Sequence, residues 1–403
     1  MTMLPSFLAN VIFGSGQEGA PSEAETTKHT ERGNVDREGV TNYAFSGMQG
    51  WRVSMEDAHM ACTSLPVEGQ KSIAGHALFG VMDGHGGNFT SETAADIFLR
   101  TFSRRSDIKK YAKLSLEDQQ DVPGVELLRS ALTDTFLSLD AEIREMQNKR
   151  NETFLAMTEK AESSGQRLDA PIRFERSGST CVVVLLTPSH IICANAGDSR
   201  AILRRGGKVL PLSFDHKPSN IPELMRINAA GGFVKAKRVD GDLAVSRGLG
   251  DFSYKCTEDM PVEKQKVVPE PQFIVYPRNR DKDEFIVVAC DGVWDVATNA
   301  DCSNFIQELL DEGESDLGLI CEEAMDTCLE RNSRDNMTIG IIGFDAMSRP
   351  SGMNARNAVW QRRTTRQAKA FENTAKMAAA RAAAGVGINL STKNPVTAGG
   401  DSK

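Results

Sequence analysis

Seven short runs dense in Val, Ile, Leu and Ala punctuate the middle of the chain: "HALFGVMD" (76–83), "STCVVVLLT" (179–187), "HIICANAG" (190–197), "SRAILRR" (199–205), "QFIVYP" (272–277), "EFIVVACD" (284–291) and "TIGIIGF" (338–344). Each is too short for a helix and is bounded by turn residues, so each predicts a strand. Apolar positions recur at helical spacing over 90–103, 125–148, 220–230 and 301–331, which predicts helices there. The strands cluster behind tight links such as "TPSH", "GDS" and "RGGK" rather than alternating strictly with helices. That ordering predicts an α+β fold with antiparallel sheets, not a parallel doubly wound one. Residues 1–41 carry almost nothing to bury and read as a polar N-terminal arm, and residues 146–175 read as a polar excursion from the globular body.

The chain has 403 residues, 40% hydrophobic and 25% charged, enough for one large core with appendages. No run approaches the ~18 apolar residues of a membrane span. The opening "MTMLPSFLANVIFGSG" has no basic segment and contains a proline, and Thr2 stands where myristoylation needs glycine. Eight cysteines are scattered singly, several inside apolar runs and none in a C-x-x-C pair, which argues against a zinc site and for a reducing compartment. The expectation is a cytoplasmic or nuclear protein. Charge is divided unevenly: residues 348–403 hold ten Lys/Arg and two acids, net +8, so with −8 overall the first 347 residues carry −16. An acidic body can hold cations, and a basic tail can meet an acidic partner.

The candidate chemistry sits at strand ends. Asp83 follows "ALFGVM", Asp198 lies between "HIICANAG" and "SRAIL", Asp291 follows "FIVVAC", and Asp335 precedes "MTIGIIGF". Any one of these could be a turn or cap residue. Four carboxylates on a shared rim repel one another unless a cation lies among them. Oxygen-only ligands without Cys or His clusters select Mg²⁺ or Mn²⁺. "VMDGHGG" (81–87), taken alone, is either a polar hairpin turn or a metal or phosphate site whose glycines let backbone approach a ligand.

Nine blocks then carry a resemblance: "GMQGWRVSMEDAH" (47–59), "FGVMDGHGG" (79–87), "SGSTCVVVLL" (177–186), "NAGDSRAIL" (195–203), "LSFDHKPSNIPELMRINAAGG" (212–232), "LAVSRGLGDFSYK" (243–255), "VVPEPQF" (267–273), "VVACDGVWDV" (287–296) and "CLERNSRDNMTI" (328–339). Their order and approximate spacing resemble the metal-dependent serine/threonine phosphatases of the protein phosphatase 2C type across roughly 42–346. The resemblance implies a central β-sandwich of two antiparallel sheets flanked by pairs of α-helices, with a phosphatase domain at 42–347. It implies hydrolysis of phosphoserine and phosphothreonine in phosphoprotein substrates by a hydroxide bridging two Mg²⁺ or Mn²⁺ ions. The matching ligands are Glu56, Asp83, the carbonyl of Gly84, Asp291 and Asp335. Arg52 matches the arginine that forks onto phosphoryl oxygens, and His85 the general acid for the departing alkoxide. Asp198 and Asp295 match ligands of a weaker third ion that some members bind, while Asp57, Thr180, Arg238 and Asn336 match positions that support the ligands or lie beside the substrate.

Rival chemistries leave less trace. Cys328 and Arg334 have the spacing of a cysteine phosphatase, but no glycines between them turn amides toward a phosphate. There is no G-x-x-x-x-G-K-[ST] motif. A phosphoprotein-binding scaffold on the same fold is the alternative, and it would be marked by loss of the acids that are all present here. The 348–403 tail is basic and alanine-rich, helix-forming over 354–384, with Val359, Trp360, Phe371 and Met377 as a thin apolar stripe. It reads as a solvated appendage or as a docking segment for an acidic partner or the body; few aromatics favour nucleic acid or membrane. A monomer is expected.

Overall fold

The computed structural model describes residues 21, 23–37, 40–164, 174–347 and 353–383. Two antiparallel sheets stack face to face. The first has six strands in the order Glu25–Arg37, Val40–Gly50, Met337–Gly343, Asp283–Ala289, Arg200–Arg205 and Lys208–Pro211. The second has five, in the order Gln272–Pro277, His190–Ala196, Cys181–Leu186, Ala77–Met82 and Ala58–Cys62.

Period-two alternation within the apolar runs explains the layering. Val182, Val184 and Leu186 face the core between the sheets, while Cys181, Val183 and Leu185 face a core under the helices Phe89–Ser103 and Val122–Ser163. On the other sheet, Ile286 and Val288 face the shared core, and Phe285, Val287 and Ala289 pack against the helices Asn299–Asp311 and Leu317–Glu330. Burial on both faces is why these strands read as continuous apolar runs rather than alternating ones.

Three expectations are corrected. The polar arm expected over 1–41 is, over Glu25–Arg37, an edge strand in antiparallel register with Val40–Gly50. Strand pairing satisfies backbone groups whatever the side chains are. The polar ones find partners of their own: Lys28 pairs with Asp326 at 2.7 Å and Arg32 with Asp316 at 2.9 Å. Residues 1–20 lie outside the described residues.

The excursion expected over 146–175 is instead, to Ser163, the continuation of the long helix that begins at Val122. Ile143, Gln147, Phe154 and Thr158 are buried at helical spacing, a stripe too polar to register as apolar periodicity. Asn151 on the same face donates to the carbonyl of Glu175 at 2.8 Å. The rest of that stretch, 165–173, is outside the described residues. The helix expected over 301–331 is two helices, parted at Gly313 (φ 101°) and restarted by Asp316, whose carboxylate caps the amide of Gly318 at 2.8 Å.

Of the tail's expected stripe only Met377 has a described side chain; it packs with Ala378 against the outer core. The helix Met353–Ala383 lies on the body through Arg363, which reaches Glu323 at 2.8 Å and Glu314 at 3.3 Å, and Arg366, which reaches Glu323 at 3.0 Å and Glu312 at 3.2 Å. Arginines at helical spacing, rather than apolar residues alone, face the body. No helix among the described residues is long and apolar enough to cross a membrane.

Candidate active site

The acids gather at one end of the sandwich because the strands that precede or follow them share its core. Asp83 leaves Ala77–Met82, Asp198 joins His190–Ala196 to Arg200–Arg205, Asp291 opens the short helix Asp291–Trp294, and Asp335 stands two residues before Met337–Gly343. Ligand atoms of Asp83, Asp198 and Asp291 lie within 4.8 Å of one another, as do those of Asp57, Asp83 and Cys290. The Asp291 amide faces the Asp83 carboxylate at 3.4 Å.

Electrostatics record the crowding. Burial, then the charges of Asp57, Asp291, Asp198 and Asp335, push the Asp83 carboxyl well above the usual carboxylate range. Burial, with Asp198, Asp335 and Asp295, pushes Asp291 up to about 8. Burial pushes Asp57 up to about 6, although the Thr338 hydroxyl and Cys290 thiol beside it favour its charged form. Groups held so far from their ordinary charge state mark either a cation site or a destabilised cluster.

Several neighbours fix the cluster's shape. Thr180 accepts the Asp83 amide on its hydroxyl at 3.1 Å and donates its own amide to the Asp83 carbonyl at 2.9 Å. Asn336 accepts the Glu56 amide at 2.9 Å while its NH₂ donates to the carbonyls of Gln49 at 2.8 Å and Ser54 at 3.0 Å. One side chain therefore ties three points of the 49–56 loop to the strand end that carries Asp335. Arg52 is half-exposed and donates to Asp335 at 2.5 Å.

Gly84 begins the two-residue strand Gly84–His85, which pairs with Gly178–Ser179. A Cβ at position 84 would lie 2.7 Å from the Ser91 hydroxyl and closer still to the Glu56 carbonyl, so only glycine lets this backbone pass so near the Glu56 loop. The stretch "VMDGHGG" contributes Asp83 to the carboxylate cluster.

His85 donates through Nε2 to the carboxylate of Asp251, whose two oxygens both lie at 2.9 Å. Burial alone would lower its pKa, but the Asp251 carboxylate outweighs that and leaves it raised. Asp295 is exposed, one turn beyond Asp291, and lines an open groove with Arg200, Trp294 and Thr298. Arg238 stands on an exposed hairpin and donates to the carbonyl of Asp242 at 2.5 Å.

Sequence reasoning missed three residues. Asp251 sits inside a quoted block, "GLGDFSYK", but nothing in the block ties it to His85. Its signal is conformational: Asp251 has φ 53° and a Cβ on Gly178 would strike its carboxylate. Lys217, in "FDHKPSN", forms an ion pair with Asp198. Cys290 read as a buried hydrophobe and lies against Asp57 and Asp83.

Comparison with known proteins gives a consistent picture. The family model for Protein phosphatase 2C matches residues 41–337. Human Protein phosphatase 1A is 39% identical over 302 residues, covering 75% of this chain and 70% of the relative. Mouse Protein phosphatase 1B is 36% identical over 320 residues, covering 79% and 74%. The crystal structure of a serine-threonine phosphatase 2C from Toxoplasma gondii superposes with a TM-score of 0.62 at 20% identity, covering 79% of this chain and 99% of that one.

Proposed function

Because this chain belongs to the protein phosphatase 2C family and is a metal-dependent serine/threonine protein phosphatase, we propose that the carboxylate cluster is its catalytic centre, holding two Mg²⁺ or Mn²⁺ ions. The observation that carries this reading is the convergence of Asp83, Asp198 and Asp291 within 4.8 Å, with Asp83 and Asp291 held far above their ordinary pKa. The donors fit hard cations: they are carboxylates, with the Cys290 sulfur beside Asp57 and Asp83. Gly84 follows Asp83 directly, and the absence of a Cβ lets its backbone run close beside the Glu56 loop. Glu56, Asp83, Gly84, Asp291 and Asp335 would hold the ions. When bound, the cations supply an acidified water and neutralise phosphoryl charge.

The chain's own residues do the rest. Arg52, half-exposed and paired with Asp335, would present a planar fork to two phosphoryl oxygens, a geometry lysine cannot reproduce. His85, oriented by Asp251, whose carboxylate favours its protonated form, would give a proton to the departing serine or threonine oxygen. Asn336 and Thr180 hold the Glu56 loop and the Asp83 backbone so that the cluster does not spread on loading. Lys217 is the counter-ion of Asp198, so a third cation between Asp198 and Asp295 would have to displace its ammonium group. All eight cysteines are free, six of them buried, which suits a reducing cytoplasmic or nuclear setting.

Asp291→Asn tests the assignment. It should lower kcat on a phosphothreonine peptide by more than tenfold and weaken Mn²⁺ binding measured by calorimetry. A variant that retains more than a tenth of the wild-type kcat would show that Asp291 is not a ligand.

A further inference from the structure

Between its two ties to the active site, the chain builds a small subdomain. The first tie is Lys217 on Asp198, and the second is Asp251 on His85. Ile227 and Val239 within it, with Val267 from beyond the second tie, form a separate miniature core that seats a short hairpin, Val234–Lys235 paired with Arg238–Val239. Its base is well held. Val239 is fully buried, and Asp240 accepts the Phe233 amide at 3.1 Å and pairs with Lys266 at 2.8 Å.

The tip is different. Residues 235–238 read "KAKR", and all four are exposed. Ala236 and Lys237 occupy the two central turn positions at φ 50° and 63°. A two-residue hairpin turn demands that left-handed backbone at both positions and normally uses Asn-Gly or Gly-Gly. An alanine and a lysine there are conformationally disfavoured, so the lysine is placed at the tip in spite of the turn's own preference. Lys235 and Lys237 have no ion-pair partner among the described residues, whereas Arg32, Arg204 and Arg205 on the body are all paired.

The hairpin is tied to the catalytic end through one short path. Arg238 donates to the Asp242 carbonyl, and the Asp242 carboxylate accepts the Tyr254 hydroxyl at 2.9 Å. Tyr254 ends the 3₁₀ turn Phe252–Tyr254 whose first capping residue is Asp251, the partner of His85. Two cations without an ion-pair partner among the described residues thus project from a hairpin that hydrogen bonds link to the partner of His85, on a body whose net charge of −16 repels acidic chains.

Resting on the phosphatase reading above, we propose that Lys235 and Lys237 select substrates in which acidic residues flank the phosphorylated serine or threonine. The hairpin supplies at short range the positive charge that the body lacks. Exposed charge pairs each change affinity only a few-fold, so two of them together give roughly a fivefold to tenfold preference at low salt. Screening removes most of it at high salt.

The test compares kcat/KM for two phosphothreonine peptides that differ only in carrying glutamates or alanines on both flanks. The wild-type protein, loaded with Mn²⁺, should prefer the acidic peptide roughly fivefold to tenfold in dilute buffer and lose most of that preference at half-molar salt. In Lys235→Ala/Lys237→Ala the ratio should fall to near one, and in Lys235→Arg/Lys237→Arg it should persist. Lys237→Gly removes one charge while relieving the left-handed strain, so it should raise the melting temperature yet lower the ratio. A wild-type ratio near one, or a preference that survives in the double alanine variant, would overturn the proposal. Failure to turn over either peptide would overturn the phosphatase reading instead, and anisotropy of labelled peptides would still report whether the two lysines discriminate between them.

Discussion

Gly84→Ala is the sharpest structural perturbation of the site, because one methyl group is set against two atoms that cannot easily yield. The new Cβ would meet the Ser91 hydroxyl at 2.7 Å and come closer still to the Glu56 carbonyl, whereas real Cβ atoms essentially never approach within 3.0 Å. The Glu56 oxygen is backbone. The Ser91 hydroxyl is held by the Asn88 carbonyl at 2.9 Å as well as by Glu56, so neither rotates away without breaking a bond. The Gly84–His85 strand must therefore retreat by roughly half an ångström to an ångström, carrying Asp83 and His85 with it. Overpacking of this kind costs about 1–3 kcal/mol of stability. A misplacement near 1 Å costs on the order of 10²-fold in rate. Gly69→Ala is the control: Gly69, unlike Gly84, has positive φ, but it has nothing within 4 Å of a new Cβ, so it should lose about 1 kcal/mol of stability and no turnover. The assay is kcat/KM on a phosphothreonine peptide at saturating Mn²⁺, together with thermal unfolding of both variants. A Gly84→Ala protein within twofold of wild-type activity would refute the argument that this backbone is packed against the Glu56 loop to serve the site.

Other expectations follow from the same geometry. Without divalent cations, Asp83 and Asp291 bind protons that the unfolded chain releases, so stability should fall as pH rises from about 4 through about 8; melting temperatures in EDTA that are flat across that range would contradict it, and the stabilisation by added Mn²⁺ should grow over the same interval. His85→Gln should slow phosphothreonine peptides by about 10²-fold or more while affecting p-nitrophenyl phosphate much less, since nitrophenolate leaves without a proton. Asp251→Asn should shift the alkaline limb of the peptide pH–rate profile to lower pH, because the carboxylate that keeps His85 charged is gone; an unmoved limb would make Asp251 merely structural. Arg363→Ala/Arg366→Ala strips both cations from Glu323, which is 1% exposed, and should cost about 2–4 kcal/mol of stability with little change in turnover; an unchanged melting temperature would mean that the helix does not hold the body in solution.

What could be read from the sequence tracks what is local. The paired sheets show in runs such as "TCVVVLL", because strands covered on both faces keep every position apolar. The acids show because each ends such a run. The edge strand Glu25–Arg37 does not, since its contribution is backbone pairing and its side chains are satisfied by Asp316 and Asp326 nearly three hundred residues away. The extension of the long helix past residue 148 rests on Gln147 and Thr158, polar residues buried by tertiary contact and therefore invisible to a hydrophobic count. The same limit hid Asp251 and Lys217, whose relevance lies wholly in which charge each faces across the fold. Asn336 was legible as a position but not as a role: that one amide ties Gln49, Ser54 and Glu56 together is a statement about three-dimensional proximity.

The central claim is that the cluster of Asp83, Asp291 and their neighbours is a cation site on which phosphate ester hydrolysis depends. The most direct measurement is initial-rate hydrolysis of a phosphothreonine peptide by the full chain, stripped with EDTA and then titrated with Mn²⁺ or Mg²⁺. The account predicts no turnover in chelator and saturable recovery with either ion. Undiminished turnover in excess EDTA would contradict it.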